Sequence, residues 1–200
     1  MFGTLRLLLA ILVALSHAGV SAGGYHLGVP AVVVFLMLAG YVVAAMLERP
    51  LPVSRFYAER ALRLLPPYYA ALCLGLLCAG AGVSTPFMQG VQQPALWAAA
   101  VLIVPLNYAV LWPALDTFTP VPPAWSLGLE LQFYLLAPWL LARPARIYAA
   151  ALATWAVGAA AEFGGLPSEA WGYRLLAGNL FIGLSGALLW RARDTPAPGV

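Results

Sequence analysis

Of 200 residues, 10 are basic and 7 acidic, 63% are hydrophobic, and the mean hydropathy is +0.88. Soluble domains average about 25% charged residues and must cover a large surface with polar atoms, so a soluble enzyme, a disordered chain and a free nucleic-acid-binding domain are excluded. All ten basic residues are arginines, the net charge is +3, and they sit mainly between apolar runs, which fits positive-inside anchoring better than a nucleic-acid footprint.

Seven apolar runs, approximately 5–23, 27–47, 64–83, 95–113, 124–142, 146–163 and 174–190, come near the roughly 20 residues that cross a bilayer. They predict an all-α, polytopic membrane helix bundle of about seven transmembrane helices. One membrane domain over 1–190 is followed by a polar tail at 191–200.

In the first run, Arg6 precedes Leu7–Leu15, and Val20-Ser21-Ala22 has the form of a signal-peptide cleavage site. The run with its flank is long enough to remain as a helix, and retention is the expectation. Arg6 and His17 are eleven positions apart, about 20° past three full turns, so they share a helix face about 16 Å apart along the axis. Arg6 is expected near the cytoplasmic edge and His17 near mid-membrane. Taken alone, the pair is more simply explained by an anchoring arginine and a histidine satisfied by a backbone carbonyl. His26 is expected to be solvated in the first external loop.

The connection at 48–63 holds Arg49, Arg55, Arg60 and Arg63 against Glu48 and Glu59, which places it in the cytoplasm with the N-terminus. Arg60 and Arg63 are neighbours on one face if helical. Paired guanidinium forks suit phosphate, while a cytoplasmic cap with a Glu59–Arg63 ion pair is the simpler account. Pro66-Pro67 are expected to start the third helix. Cys73 and Cys78 point to different sides of that helix and are read as free thiols. Counting crossings onward puts Arg143, Arg146, Arg191 and Arg193 outside, against the rule. Either the segment at 84–123, interrupted by Pro105, Asn107 and Pro113, is re-entrant, or the first loop outweighs the rest.

The stretch from Pro122 to Tyr134 is the strongest local signal. Trp125 suits an interface belt, and Ser126 and Glu130 share a face at i, i+4. A carboxyl group in a bilayer segment marks a functional site by default and calls for an arginine or histidine partner from another helix. A structural intramembrane ion pair is the alternative. Glu162, Glu169, Arg174 and Asn179 flank the late helices without a readable pattern. Phosphate-loop, zinc-protease and nucleophile-elbow motifs are absent, and no metal site is expected.

Together these residues resemble acyltransferase family 3, a family of polytopic membrane proteins. Arg6 and His17 match the family's basic residue, ten positions and histidine. Val34-Phe35-Leu36-Met37-Leu38-Ala39-Gly40-Tyr41 is similar to its Phe-rich run, with Ala39 where a serine is usual. Arg60, Arg63, Pro66 or Pro67, and Tyr68 or Tyr69 match the Arg-x-x-Arg, Pro, Tyr pattern, and Trp125 through Tyr134 match Trp-Ser-Leu-x-x-Glu-x-Gln-Phe-Tyr. Family members usually have about ten spanning helices, so the chain is expected to stop some three short.

The resemblance implies O-acyl transfer from a cytoplasmic donor, usually acyl-CoA, to a hydroxyl-bearing acceptor, usually a carbohydrate. It implies a multi-pass protein of the bacterial inner membrane and no bound cofactor. His17 is then the expected general base and Glu130 the carboxylate that holds its tautomer. Arg6, Arg60 and Arg63 attract the donor's phosphates, and Trp125 and Ser126 shape the pocket. Two other readings are a non-catalytic family member or partner subunit, and a small transporter with a His–Glu proton path.

Overall fold

The computed structural model describes residues 3–83, 86–88 and 93–193. Residues 194–200 of the expected tail, and 84, 85 and 89–92 of the interrupted segment, lie outside the described residues. The fold is all-α: α1 (Gly3–His17), α2 (Gly28–Leu47), α3 (Val53–Gly80), α4 (Pro94–Leu102), α5 (Ala114–Thr117), α6 (Ala124–Leu141), α7 (Pro144–Phe163) and α8 (Leu176–Ala192). A π-helical turn at Ser168–Arg174 runs into α8. Three helical stretches are long and apolar enough to cross a membrane, Gly28–Leu47, Val53–Gly80 and Ser168–Ala192, and α1 is a shorter apolar helix.

Four sequence expectations need correction. The first run ends at His17 rather than at 23, because Ser21–Ala22 pairs antiparallel with Tyr25–His26 in a small hairpin. His17 therefore closes α1 instead of lying deep within a longer span. Residues 53–63 are not a loop: α3 is already helical from Val53, and Pro66 and Pro67 lie inside it. The amphipathic first turns of α3 carry too much charge to read as an apolar span, yet they continue it. Finally, 95–113 is not one helix. It breaks at Ile103, whose φ is 66°, and continues as a 3-10 turn over Val104–Tyr108.

This broken segment enters and leaves the bundle at the same end. Phe87 O, after the end of α3, accepts from Thr119 N at 2.8 Å, and an added Cβ at Gly75, in the last turns of α3, would sit 3.0 Å from Pro120 O, just before α6. Tyr68 and Tyr69 on α3 donate to Ala100 O at 2.5 Å and Val101 O at 2.9 Å. These are carbonyls of the last turn of α4, which have no partner within their own helix. At its tip, Gly128 of α6 allows the Ile103 carbonyl to pack closely, since a Cβ there would lie 2.8 Å from it.

The central core lies between α2, α6, α7 and α8, with Val43, Phe133, Ala137, Ile147 and Leu184 buried together. A second cluster joins α3 to the broken segment through Tyr68, Leu96, Ile103, Leu115 and Phe118. By contrast α1 packs at the edge, with Leu9 buried and Leu7, Leu8, Ile11 and Leu15 exposed. At one end of the bundle Arg193 meets Glu48 at 3.4 Å and Arg191 donates to Leu141 O. The ends of α2, α6 and α8, and the start of α7, are thus on one side, and Arg49, Arg143, Arg146, Arg191 and Arg193 share it.

The α2–α8 contact depends on missing side chains. A Cβ at Gly40 would overlap Gly183 O, and one at Gly186 would overlap Met37 O; small residues let apolar helices approach backbone to backbone. Gly186→Val should therefore destabilise the purified protein by about 1–3 kcal/mol, the usual cost of overpacking, read as a lower thermal unfolding midpoint in detergent. Gly80→Ala, where a Cβ meets nothing within 4 Å, should stay within about 0.5 kcal/mol.

Candidate active site

Three helices bring ionisable residues together around Glu130, with Arg60 buried, Arg6 half-buried and Arg63 exposed. Arg6 of α1 and Arg60 and Arg63 of α3 all act electrostatically on Glu130 of α6. The α3 residues reach this place because 53–63 is helical, so positions 60 and 63 fall on one face. Arg60 is 93% buried, at 7% exposure, and its guanidinium lies 5.6 Å from the centroid of the Tyr134 ring. Tyr134, one turn beyond Glu130, donates its hydroxyl to the Glu130 carboxylate.

The cluster holds three guanidinium groups against one carboxylate, and its hydrogen-bonding capacity is not used up. Arg60 Nε and Nη1 and Arg6 Nε are buried without a hydrogen-bond partner. A buried donor left unmade costs about 1–3 kcal/mol, so the arrangement fits an anion that accepts from several of them at once. Glu59 does not compete for Arg63: its ion pair is with Arg55, at 3.1 Å, and not the expected one with Arg63.

Glu130 and His17 do not share a hydrogen bond among the described residues. The His17 ring meets Val13 O through Nδ1 at 2.9 Å. That contact makes Nδ1 the protonated nitrogen and leaves Nε2 as the basic one. The orientation expected from Glu130 is thus supplied by the helix's own backbone.

Two cavities with shared lining lie between Glu130 and His17. The first, about 320 Å³, is lined mainly by apolar side chains of α1, α2 and α6, including Ala10, Phe35 and Leu36, with Glu130 and Ser126 as its polar groups. The second, about 290 Å³, holds His17, His26, Trp125, Ser126, Glu169, Tyr173 and Arg174. Val13, Val32, Pro123 and Ser126 line both. Ser126 stands at the junction, its hydroxyl donating to Pro123 O at 2.9 Å. Trp125 is buried at the second cavity, edge-on to Tyr173 at 5.1 Å between centroids and with the Arg174 guanidinium 5.0 Å from its ring.

Some of these residues carried no signal in the sequence. Asn107 is fully buried and donates to Arg174 O at 2.8 Å and, more weakly, to Trp125 O at 3.4 Å. Gln132 donates to Asn107 Oδ1 at 2.9 Å and accepts from Tyr108 at 2.7 Å. The broken segment thereby fixes the backbone of both cavity-lining elements. Asn107 was legible only as a polar interruption; Tyr134 could have been found from its i, i+4 spacing to Glu130. His26, Glu169 and Arg174 join His17 through the fold alone. Ala39 is buried in the α2 packing face. Cys73 and Cys78 are free and exposed on α3. Among the described residues no three His, Cys, Asp or Glu side chains converge as metal ligands.

The acyltransferase domain family matches residues 2–199. A protein of Komagataeibacter xylinus named as membrane-bound transacylase BcsY is 34% identical over 65% of this chain and 34% of its own length. Nodulation protein 10 of Rhizobium leguminosarum bv. viciae is 28% identical over 70% of this chain and 43% of its own length. An uncharacterized protein of Aquifex aeolicus is 39% identical over 34% of this chain and 31% of its own. The chain thus spans 31–43% of the length of these curated relatives. No solved structure matches it.

Removing the carboxylate takes the one negative charge away from the buried Arg60 and the half-buried Arg6. Breaking a buried pair from one side typically costs about 3–5 kcal/mol. Glu130→Leu should therefore lower stability by roughly 3 kcal/mol, measured by denaturant unfolding in detergent micelles. Adding Arg60→Met to it should restore part of the loss; a double variant less stable than Glu130→Leu would show that the cluster is not held by charge.

Proposed function

The chain belongs to acyltransferase family 3, a family of membrane proteins, and on that premise we propose that it moves an acyl group from a cytoplasmic acyl-CoA to a hydroxyl of a carbohydrate or other envelope or metabolite acceptor. The observation that carries this reading is the pair of cavities that share Ser126 in their lining, with Glu130 of the charged cluster in one and His17 in the other.

In this reading Arg6, Arg60 and Arg63 bind the phosphates of the donor, Arg6 and Arg60 through guanidinium donors that have no partner inside the protein. The donor's flexible arm lies in the apolar cavity, which carries the thioester past Glu130 to Ser126. The acceptor hydroxyl enters from the second cavity. His17 Nε2 takes its proton, the oxygen attacks the thioester carbonyl, and the carbon–sulfur bond breaks. The proton leaves His17 with the coenzyme thiolate. Glu130 keeps the arginines in place and balances their charge in the absence of donor, and Trp125 and Ser126 set the width of the passage.

The same reading fixes a topology. Helices α1, α2, α3, α6, α7 and α8 cross the bilayer, and the broken segment over 94–118 dips in from the His17 side and returns. Every arginine except Arg174 then belongs to the cytoplasmic half, as the positive-inside rule requires, in a bacterial inner membrane.

The test is transfer of label from acyl-CoA in membranes containing the chain. His17→Ala should lower the rate by about 10²–10⁴-fold, the typical contribution of general base catalysis, with insertion unchanged. Arg60→Ala and Arg63→Ala should raise the KM for acyl-CoA more than they lower kcat. Undiminished transfer by His17→Ala would overturn the assignment.

A further inference from the structure

The second cavity has a polar element that the transfer step does not use. Glu169 and Arg174, from the π-helical turn before α8, form an ion pair with Oε1 and Nη2 2.8 Å apart. Arg174 also rests on the Trp125 ring, while its Nε is buried with no partner. Glu169 is the more open partner, its side chain 66% exposed against 24% for Arg174. Beside them the Trp125–Tyr173 edge-to-face pair presents flat apolar surface toward the cavity that holds His17.

From this arrangement we infer that the Glu169–Arg174 pair selects the charge of the acceptor, admitting uncharged polyhydroxyl compounds and rejecting anionic ones. The inference rests on the transfer reading above for the acceptor's place at His17. The physical argument is one of balance. The Arg174 charge is already neutralised, so a ligand carboxylate gains little from it and meets the Glu169 carboxylate at close range. Neutral hydroxyls meet no such repulsion: they accept from the guanidinium and donate to the carboxylate, which retains lone pairs beyond its single ion pair. Ring C–H faces pack on the aromatic pair. Asn107 keeps the selecting residues in register with His17 through its bonds to Arg174 O and Trp125 O.

The pair predicts changes of opposite sign. The purified full chain in lipid nanodiscs is titrated with methyl β-glucoside and methyl β-glucuronide, which differ only by the carboxylate at C6, and binding is followed by saturation-transfer NMR. The wild-type protein should prefer the glucoside about tenfold. Glu169→Gln, which keeps the shape and frees the Arg174 charge, should raise affinity for the glucuronide at least fivefold while moving the glucoside less than twofold. Arg174→Gln should widen the preference for the glucoside. A wild-type preference for the glucuronide, an unchanged ratio in Glu169→Gln, or binding of neither sugar would overturn the inference. Labelled acyl transfer is measured on the same samples. Sugar selection that follows the predicted pattern without any transfer supports this inference and removes the transfer reading, whereas transfer with no dependence on acceptor charge removes this inference alone.

Discussion

A helix broken inside an apolar bundle exposes polar backbone groups that only protein can satisfy, and the arrangement of the bundle depends on how this chain meets that demand at Ile103–Tyr108. Asn107 fills the gap. Its amide donates to Trp125 O and Arg174 O, and its carbonyl accepts from Gln132, which in turn accepts from Tyr108. The carbonyls at the end of α4 are covered by Tyr68 and Tyr69. Because the segment turns back, every later helix runs in the direction opposite to the one that seven uninterrupted crossings would give. That single reversal puts the ends of α6 and α8 beside the end of α2, where Arg193 meets Glu48, and the start of α8 beside His17.

The result is a molecule with two chemically different ends. Nine arginines belong to one half, three of them drawn inward around Glu130. The other half keeps one arginine, Arg174, paired with Glu169, together with both histidines. The apolar cavity between the halves is bordered by α1 and α6. Its walls come from small and apolar positions such as Ala10, Ala14 and Leu36, and Ser126 is the polar group common to both compartments. Family motifs that look alike in the sequence divide accordingly. Gly40 and Gln132 hold backbones together, and Tyr68 and Tyr69 anchor α4. Glu130 and His17 instead line the two cavities, and Arg6 and Arg60 keep unpartnered donors near Glu130.

Periodicity served best where a helix has one environment along its length. The bounds of α2, α6 and α7 were legible to within two residues, since each is predominantly apolar and stops at charge or glycine. It failed for α3, whose first turns are charged and whose prolines lie inside the helix; neighbouring helices supply the packing that local propensity does not. It failed again at His17, where Ala18, Val20 and Ala22 extend the apolar run past the helix end into a small hairpin. The spacing of Arg6 and His17 put them on one face, as drawn, but the contact that orients His17 comes from its own helix backbone.

What the sequence determined by itself was the solvent and the family. Too few charges for a water-facing surface require a membrane, and four ordered motifs name the group of proteins. Which charges meet was decided by tertiary structure alone. Glu130 lies 67 to 124 positions from its arginine partners, and Glu169 and Arg174 reach His17 only because the broken segment reverses the chain. Electrostatic energy depends on distance and desolvation in three dimensions, and neither is encoded in the spacing of residues along separate helices.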